Sequence, residues 1–493
     1  MRFCFCDQVC LAIFKIDKAD RSLSNSGRSA PCHSDSSGVF LFISFGVSYP
    51  HANAGEARPP YKFLRYDEDY SFLSDPTQRT DLFDWVKYIP LDGAGYLSFG
   101  GEVRERFETY KNEEFSPNPN ADNAYLLQRY LFHADYHPAE WLRVFGELQS
   151  SLEGGRPGGP RPTDRDAIDI HQLFADLVGK VSQDGQLTLR VGRQEMSYGW
   201  ERLIAAREGP NNRRAFDEVR LLYKQNAVSV DAWFSSPVEV DQGQFDDQNV
   251  RDVWFWGVYA TVPCPSLPGM QLDLYYLGLS NPHAVFNQGA GREEAHTVGS
   301  RFFGTLGRWD VNDEAIYQFG QFGSGAVNAW SVAIDHGFTL KNLWSRPRLG
   351  LRAAIASGDS SASDADLQTF NPLFVRGNYF SEAGLLNPQN FIDLFPSLRI
   401  NPDPKLTAEL GVDIHWRENL GDGIYQPGGS VIFRGNSNFA RFVGTELVLG
   451  MAWQVNRHIS FSGAYSHFFA GQFIHQSNGE DADFGALWLT FKF

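Results

Sequence analysis

A two-residue hydrophobic period, sustained from about residue 95 to the end of the 493-residue chain, constrains this sequence more than any other feature. In Lys405 to Arg417, Leu406, Ala408, Leu410, Val412, Ile414 and Trp416 make an unbroken apolar face. Lys405, Thr407, Glu409, Asp413, His415 and Arg417 stand opposite. Successive strand side chains point to opposite faces, so such a segment has one oily and one wet side. Tyr96 to Glu108 repeats the pattern, with Leu97, Phe99, Val103 and Phe107 against Ser98, Glu102, Arg104, Arg106 and Glu108. About eighteen such segments follow one another, each about 9–13 residues long, the length of a tilted membrane-spanning strand. The last, Leu487-Trp488-Leu489-Thr490-Phe491-Lys492-Phe493, alternates up to a terminal aromatic. Its open edge must be paired, and pairing it with the first strand closes a barrel.

The connections alternate in length. Short ones such as Gln225-Asn226, Leu306-Gly307-Arg308 and Asn456-Arg457 interleave with long polar ones such as Lys111–Asn123, Ser151–Asp169, Gly358–Asn390 and Glu418–Ala440. Short turns at one end and long loops at the other predict an outer-membrane barrel with periplasmic turns, extracellular loops and an even strand count. The 40 Phe, 19 Tyr and 12 Trp beside 21% charged residues suit lipid-facing aromatics and a polar lumen. The expected fold is therefore all-β: a single transmembrane antiparallel barrel over 95–493. A terminal Phe on such a strand also resembles the assembly signature of bacterial outer-membrane barrels.

Ahead of the barrel, Gly38 to Val47 is an apolar run of signal-peptide size, and Ala52-Asn53-Ala54 offers a small-residue cleavage site. Residues 1–54 are expected to be a removed leader, with the first thirty or so a mis-assigned start or, in the rival reading, a cytosolic extension. Residues 55–94 are expected to form a periplasmic lead-in, a strap or plug at the barrel mouth. Four of the five cysteines fall within the first 32 residues, leaving Cys264 alone in the remainder. No disulfide, metal or cofactor is expected. The net charge of −16 argues against a nucleic-acid partner.

Inward-facing charges should decide what a barrel of this size passes. Alternation turns Arg104, Arg106, Arg129, Arg143, Arg190, Arg220, Arg348, Arg352 and Arg417 inward, with acids including Glu147, Asp176 and Glu218 among them to modulate selectivity. Guanidinium recognises carboxylate bidentately, so these arginines line either a path for a polyanion or a ladder of ion pairs bracing the wall. Gly192 reads as room for a neighbouring arginine. His133 and His415 read as polar lumen residues, since no G-x-S-x-G or comparable nucleophile motif frames a catalytic set. The Ser/Asp loop carrying Asp359, Asp364 and Asp366 has no recognised calcium spacing and reads as solvated.

The segments Leu189-Arg190-Val191-Gly192-Arg193-Gln194 and Phe216-Asp217-Glu218-Val219-Arg220-Leu221, then Ser357-Gly358-Asp359, Thr369-Phe370-Asn371-Pro372-Leu373-Phe374 and Trp416-Arg417, occur in one order over 95–493. In them the chain resembles the alginate-export porins of Gram-negative outer membranes. The resemblance implies eighteen strands, an arginine-rich constriction passing anionic polysaccharide, and Arg190, Arg193, Arg213, Arg214 and Arg220 as motif-matched cations. It also implies a non-enzymatic protein meeting outer-membrane lipid, an anionic poly- or oligosaccharide and periplasmic export components. The alternatives are a general or nutrient porin for small anionic sugars, and an outer-membrane barrel hydrolase. A soluble lectin-like β protein is a more distant one.

Overall fold

The computed structural model describes residues 58–493 apart from 94, 119–120, 362 and 436–437; the leader lies outside the described residues. Eighteen antiparallel strands close on themselves. They are β1 (Tyr96–Lys111), β2 (Asn123–Ala139), β3 (Leu142–Gly154), β4 (Asp166–Lys180), β5 (Gly185–Gln194) and β6 (Phe216–Gln225). Next come β7 (Val228–Glu239), β8 (Trp254–Pro263), β9 (Met270–Phe286), β10 (Gly289–Leu306), β11 (Trp309–Phe322) and β12 (Gly325–Thr339). The circuit ends with β13 (Arg348–Ala356), β14 (Phe391–Asp403), β15 (Leu406–Trp416), β16 (Phe442–Gln454), β17 (Ile459–Ala470) and β18 (Ala482–Lys492). Each strand pairs with the next in sequence, and β18 pairs with β1 from Glu102↔Lys492 to Lys111↔Asp483. Beyond that ladder, Gly101 and Phe493 exchange backbone hydrogen bonds of 3.0 and 3.1 Å, so the closing edge is satisfied to its last residue.

The alternation sorts as the sequence requires. On β15 Leu410 is exposed while Thr407, Glu409, Asp413 and His415 are buried, because the oily face meets lipid and the wet face the filled interior. Strands β9 and β10 run to 17 and 18 residues, longer than the segments read from the sequence, and turn over only two residues. Spanning takes about 9–11 residues, so the turn end of this hairpin projects beyond the membrane.

The lumen is crowded. The inward loop 195–215, between β5 and β6, and the loop 357–390, between β13 and β14, bury Met196, Ile204, Ala205, Ala206, Leu367 and Phe370 inside the barrel. They join where Ala205 N–H donates to Phe374 O (3.0 Å) and Phe374 N–H to Leu203 O (2.9 Å). Phe374 then packs edge-on against Phe216 and Phe255 of the wall. The second half of loop 357–390 is thus interior structure, whereas the Ser/Asp segment before it leaves Asp364 and Asp366 exposed. A hydrophobic cluster linking loop and wall repays the desolvation of its backbone.

Candidate functional site

At the short-turn end of the barrel the lead-in docks into the mouth. Arg65 donates to Gly101 O (3.0 Å) and Phe493 O (2.9 Å), and pairs with Glu68 at 2.7 Å. His458 reaches Asp81 at 2.9 Å, and Phe83 packs on Phe491 and Phe493. Deeper in, Tyr66 donates to Glu195 O (2.8 Å), Arg143 donates to Tyr66 O (2.6 Å) and Arg213 lies over the Phe63 ring. The lead-in therefore touches loop 195–215 directly, and the two form one constriction against β1–β6. Lys87 is enclosed among Tyr61, Tyr70 and Phe493. Burial, reinforced by repulsion from Arg65, pulls its ammonium down to about 7.

Ten of the twelve arginines singled out from the sequence lie within 4.0 Å of a carboxylate, so most of this wall is a ladder of pairs. Around loop 195–215, Arg129 meets Glu102 (2.6 Å) and Glu208, Arg213 meets Glu195 (2.8 Å), and Arg104 meets Glu208 (3.5 Å). Arg106 holds Glu108 and Glu382. Arg143 bridges Asp135 (2.7 Å) and Asp176 (3.7 Å), and Arg190 is bidentate to Asp176. Arg220 pairs with Asp231 (3.0 Å) and Arg193 with Asp217 (2.8 Å). On the far side, Arg348 pairs with Asp310 and Asp335, and Arg352 with Asp393 and Asp413.

The remaining two bind backbone. Arg214 donates to the carbonyls of Ala205, Phe374 and Val375, clamping the two inner loops together. Arg417, fully buried over Phe473, donates to Leu420, Asp422, Asn438 and Ala440 and holds the 417–441 loop. Arg129 and Arg417, both 0% exposed, present no surface to a solute, because acids and carbonyls that alternation could not locate converge on them.

One further reading changes. Gly192 does not make room for an arginine: its φ is +133°, and a Cβ there would lie 2.2 Å from Leu173 O of β4, so it is the strand backbones that need the glycine. Asp359 is buried, but Asp364 and Asp366 are exposed, and the three form no ligand cluster among the described residues. Glu147, His171 and Glu195 do converge. Arg213 lies 2.8 Å from Glu195, His171 Nε2 lies 2.8 Å from Glu195 and His133 lies 3.4 Å from Glu147. Glu218 is buried beside Arg220 at 3.9 Å.

The side of the lumen bounded by β12–β16 is different. A cleft there is lined by Arg348, Arg352, Arg376 and Arg399 with Asp335 and Glu409, and roofed by Trp200, Phe380 and Ser381 of the inner loops. Arg348 and Arg399 are register partners near the periplasmic ends of their strands, and Arg352 lies two steps of the alternation above on the same face. Asp393 and Asp413 hold Arg352 with fully buried side chains, whereas the Arg352 side chain keeps 11% exposure. Arg376 has no carboxylate within ion-pair distance among the described residues. One guanidinium nitrogen donates to Tyr379 O, and Nε is unpartnered. Neither Arg376 nor Arg399 was among the arginines singled out from the sequence. Arg399 was legible, since it shares the face of Asp393 and Phe395; Arg376 sits on an aperiodic loop that gave no signal.

The family model for alginate export matches residues 95–486, almost the whole barrel. The chain belongs to the alginate export family. A search of curated proteins gives no match. Among solved structures, the barrel is similar to OccK9 (OpdG) of Pseudomonas aeruginosa at TM-score 0.56 and 12% identity, covering 80% of this chain and 98% of that one. It is also similar to a BenF-like porin from Pseudomonas fluorescens Pf-5, at TM-score 0.54 and 11% identity with the same coverages. The protein is thus an outer-membrane β-barrel channel of the Gram-negative cell envelope.

Proposed function

We propose that this channel passes an anionic glycan or its oligomers passively, along the β12–β16 cleft. The observation that carries this reading is the asymmetry of that cleft. Its guanidiniums line the cleft, and the Arg352 side chain keeps 11% exposure while the two carboxylates that hold it, Asp393 and Asp413, are fully buried. Pre-oriented forks recognise carboxylates, and their partial neutralisation keeps each contact weak. Conduction needs sites strong enough to enter and weak enough to leave.

The crowding by two inner loops and the docked lead-in favours a second reading, a narrow porin for small anionic sugars. Under either reading residues 1–54 act as a cleaved leader, residues 55–94 dock from the periplasm, and no catalytic role is assigned. Adding polyuronate to single channels in a planar bilayer tests the proposal. Concentration-dependent block, weakened several-fold in Arg376→Gln, supports the glycan path. Block by monomeric uronate but not by polymer favours the narrow porin, and no effect of either anion refutes both.

A further inference from the structure

Strand β4 is bulged against β3. Glu147 is the register partner of Gln172, and the next residue, Leu148, is that of Ile170, so His171 is an extra residue on β4. A bulge breaks the alternation and re-aims a side chain. His171 and Gln172, adjacent in sequence, are accordingly both buried, whereas Ile170 and Leu173 on either side are exposed. The bulge brings His171 to a point where four elements meet. Ligand atoms of Glu147 on β3, of His171, and of Glu195 at the root of loop 195–215 all lie within 4.8 Å of one another. His133 of β2 adds Nδ1, 3.4 Å from Glu147 Oε2. All four side chains are at most 3% exposed.

These groups do not satisfy one another. His133 Nδ1, Glu147 Oε2 and Glu195 Oε2 have no hydrogen-bond partner, although the first two face each other at 3.4 Å. The opposite carboxylate oxygens are held. Gln172 donates to Glu147 Oε1 (2.9 Å), and Glu195 Oε1 lies 2.8 Å from both His171 Nε2 and Arg213 Nε. Each carboxylate is thus oriented through one oxygen and left with the other free, as hydrogen bonds from outside a metal site orient its ligands. Buried polar atoms without a partner are rare, and three at one junction call for an ion.

We propose that His133, Glu147, His171 and Glu195 bind one Zn²⁺ that fastens the root of loop 195–215 to β2, β3 and β4. The donor set selects the ion. Two imidazole nitrogens and two carboxylate oxygens suit Zn²⁺, whereas Ca²⁺ and Mg²⁺ take oxygen shells. Bonds of about 2.0–2.1 Å in a tetrahedron place neighbouring ligand atoms about 3.4 Å apart. His133 and Glu147 stand at that spacing, and His171 and Glu195, at 2.8 Å, need part by only about half an ångström. Tyr66 of the lead-in donates to Glu195 O (2.8 Å), so the same residue joins the ion to the docked lead-in. Such a site is independent of what the channel passes.

The test is titration of ZnSO₄ into the untagged, chelator-stripped, detergent-purified chain, followed by X-ray absorption and hydrogen exchange of the loaded protein. The expected result is one Zn²⁺ per chain, which excess CaCl₂ does not displace. Glu147→Gln, nearly isosteric, and His171→Gln should each reduce affinity at least tenfold. His336→Gln, on β12 beside Asp313, should leave it unchanged. X-ray absorption of the wild type should show imidazole nitrogen in the zinc shell, a readout that needs no variant. Zn²⁺ should also slow exchange at the amides of loop 195–215. No saturable Zn²⁺ binding to the wild type overturns the proposal. So does an all-oxygen shell, binding that both ligand substitutions leave intact, or binding without protection of the loop.

Discussion

Replacing Arg129 by alanine should measurably destabilise the barrel, because it breaks a fully buried, doubly paired member of the β1–β6 ladder. Arg129 is 0% exposed and is shared by Glu102, at 2.6 Å, and Glu208. Removing one member of a buried pair costs about 3–5 kcal/mol, because the partner keeps its charge but loses its compensation. Here both partners retain a second cation. Lys492 lies 3.2 Å from Glu102, and Arg104 and Arg213 each lie 3.5 Å from Glu208. The loss should therefore fall at the low end, about 3 kcal/mol. Urea unfolding in lipid vesicles gives the number, and a double-mutant cycle with Glu102→Gln isolates the pair. Arg129→Ala alone should cost about 3 kcal/mol, and in the Glu102→Gln background at least 1 kcal/mol less. A loss below about 0.5 kcal/mol, the usual scale of an exposed pair, would refute the reasoning that this ladder braces the wall.

Other consequences are equally direct. Gly192→Ala puts a methyl group against Leu173 O at a φ of +133°; the strain should cost about 1–3 kcal/mol in the same unfolding assay, and unchanged stability would contradict the tight β4–β5 approach. Leu410→Arg, on the exposed face of β15, should cost about 2–4 kcal/mol in lipid if it lies near the midplane, and a neutral result would contradict the facing of that strand. Docked Lys87 titrates near 7 because it is buried, whereas a free lysine holds its proton to about 10.5. Between those values docking releases a proton, so the lead-in should dock more firmly as pH rises through that window and most weakly below 7. Hydrogen exchange over 58–93 as a function of pH checks this, and tighter docking on acidification would contradict it.

Strand number, order and facing were legible because lipid and lumen impose opposite demands on alternate residues of the same strand. Leu410 and Asp413 need no tertiary information to be placed on opposite faces. The inner loops left no such trace. Ile204, Phe374 and Arg376 are buried by contacts between distant loops, and an aperiodic segment that packs inside a barrel reads the same as one that waves above it. Charge partners were hidden for the same reason. Arg129 and Arg352 look alike as inward arginines on alternating strands. One is enclosed by Glu208 from a loop, and the other is held by Asp393 and Asp413 with an edge left open. Gly192 was misread because its need is set by the neighbouring strand's backbone rather than by any side chain.

The reversal potential of the purified channel in a planar bilayer under a potassium chloride gradient tests the central claim most directly. If lumen-facing guanidiniums govern passage, the potential takes the sign of chloride selectivity despite the chain's net charge of −16, and Arg352→Gln with Arg376→Gln moves it toward zero. A cation-selective potential, or one that both substitutions leave in place, would contradict an anion path through the β12–β16 cleft.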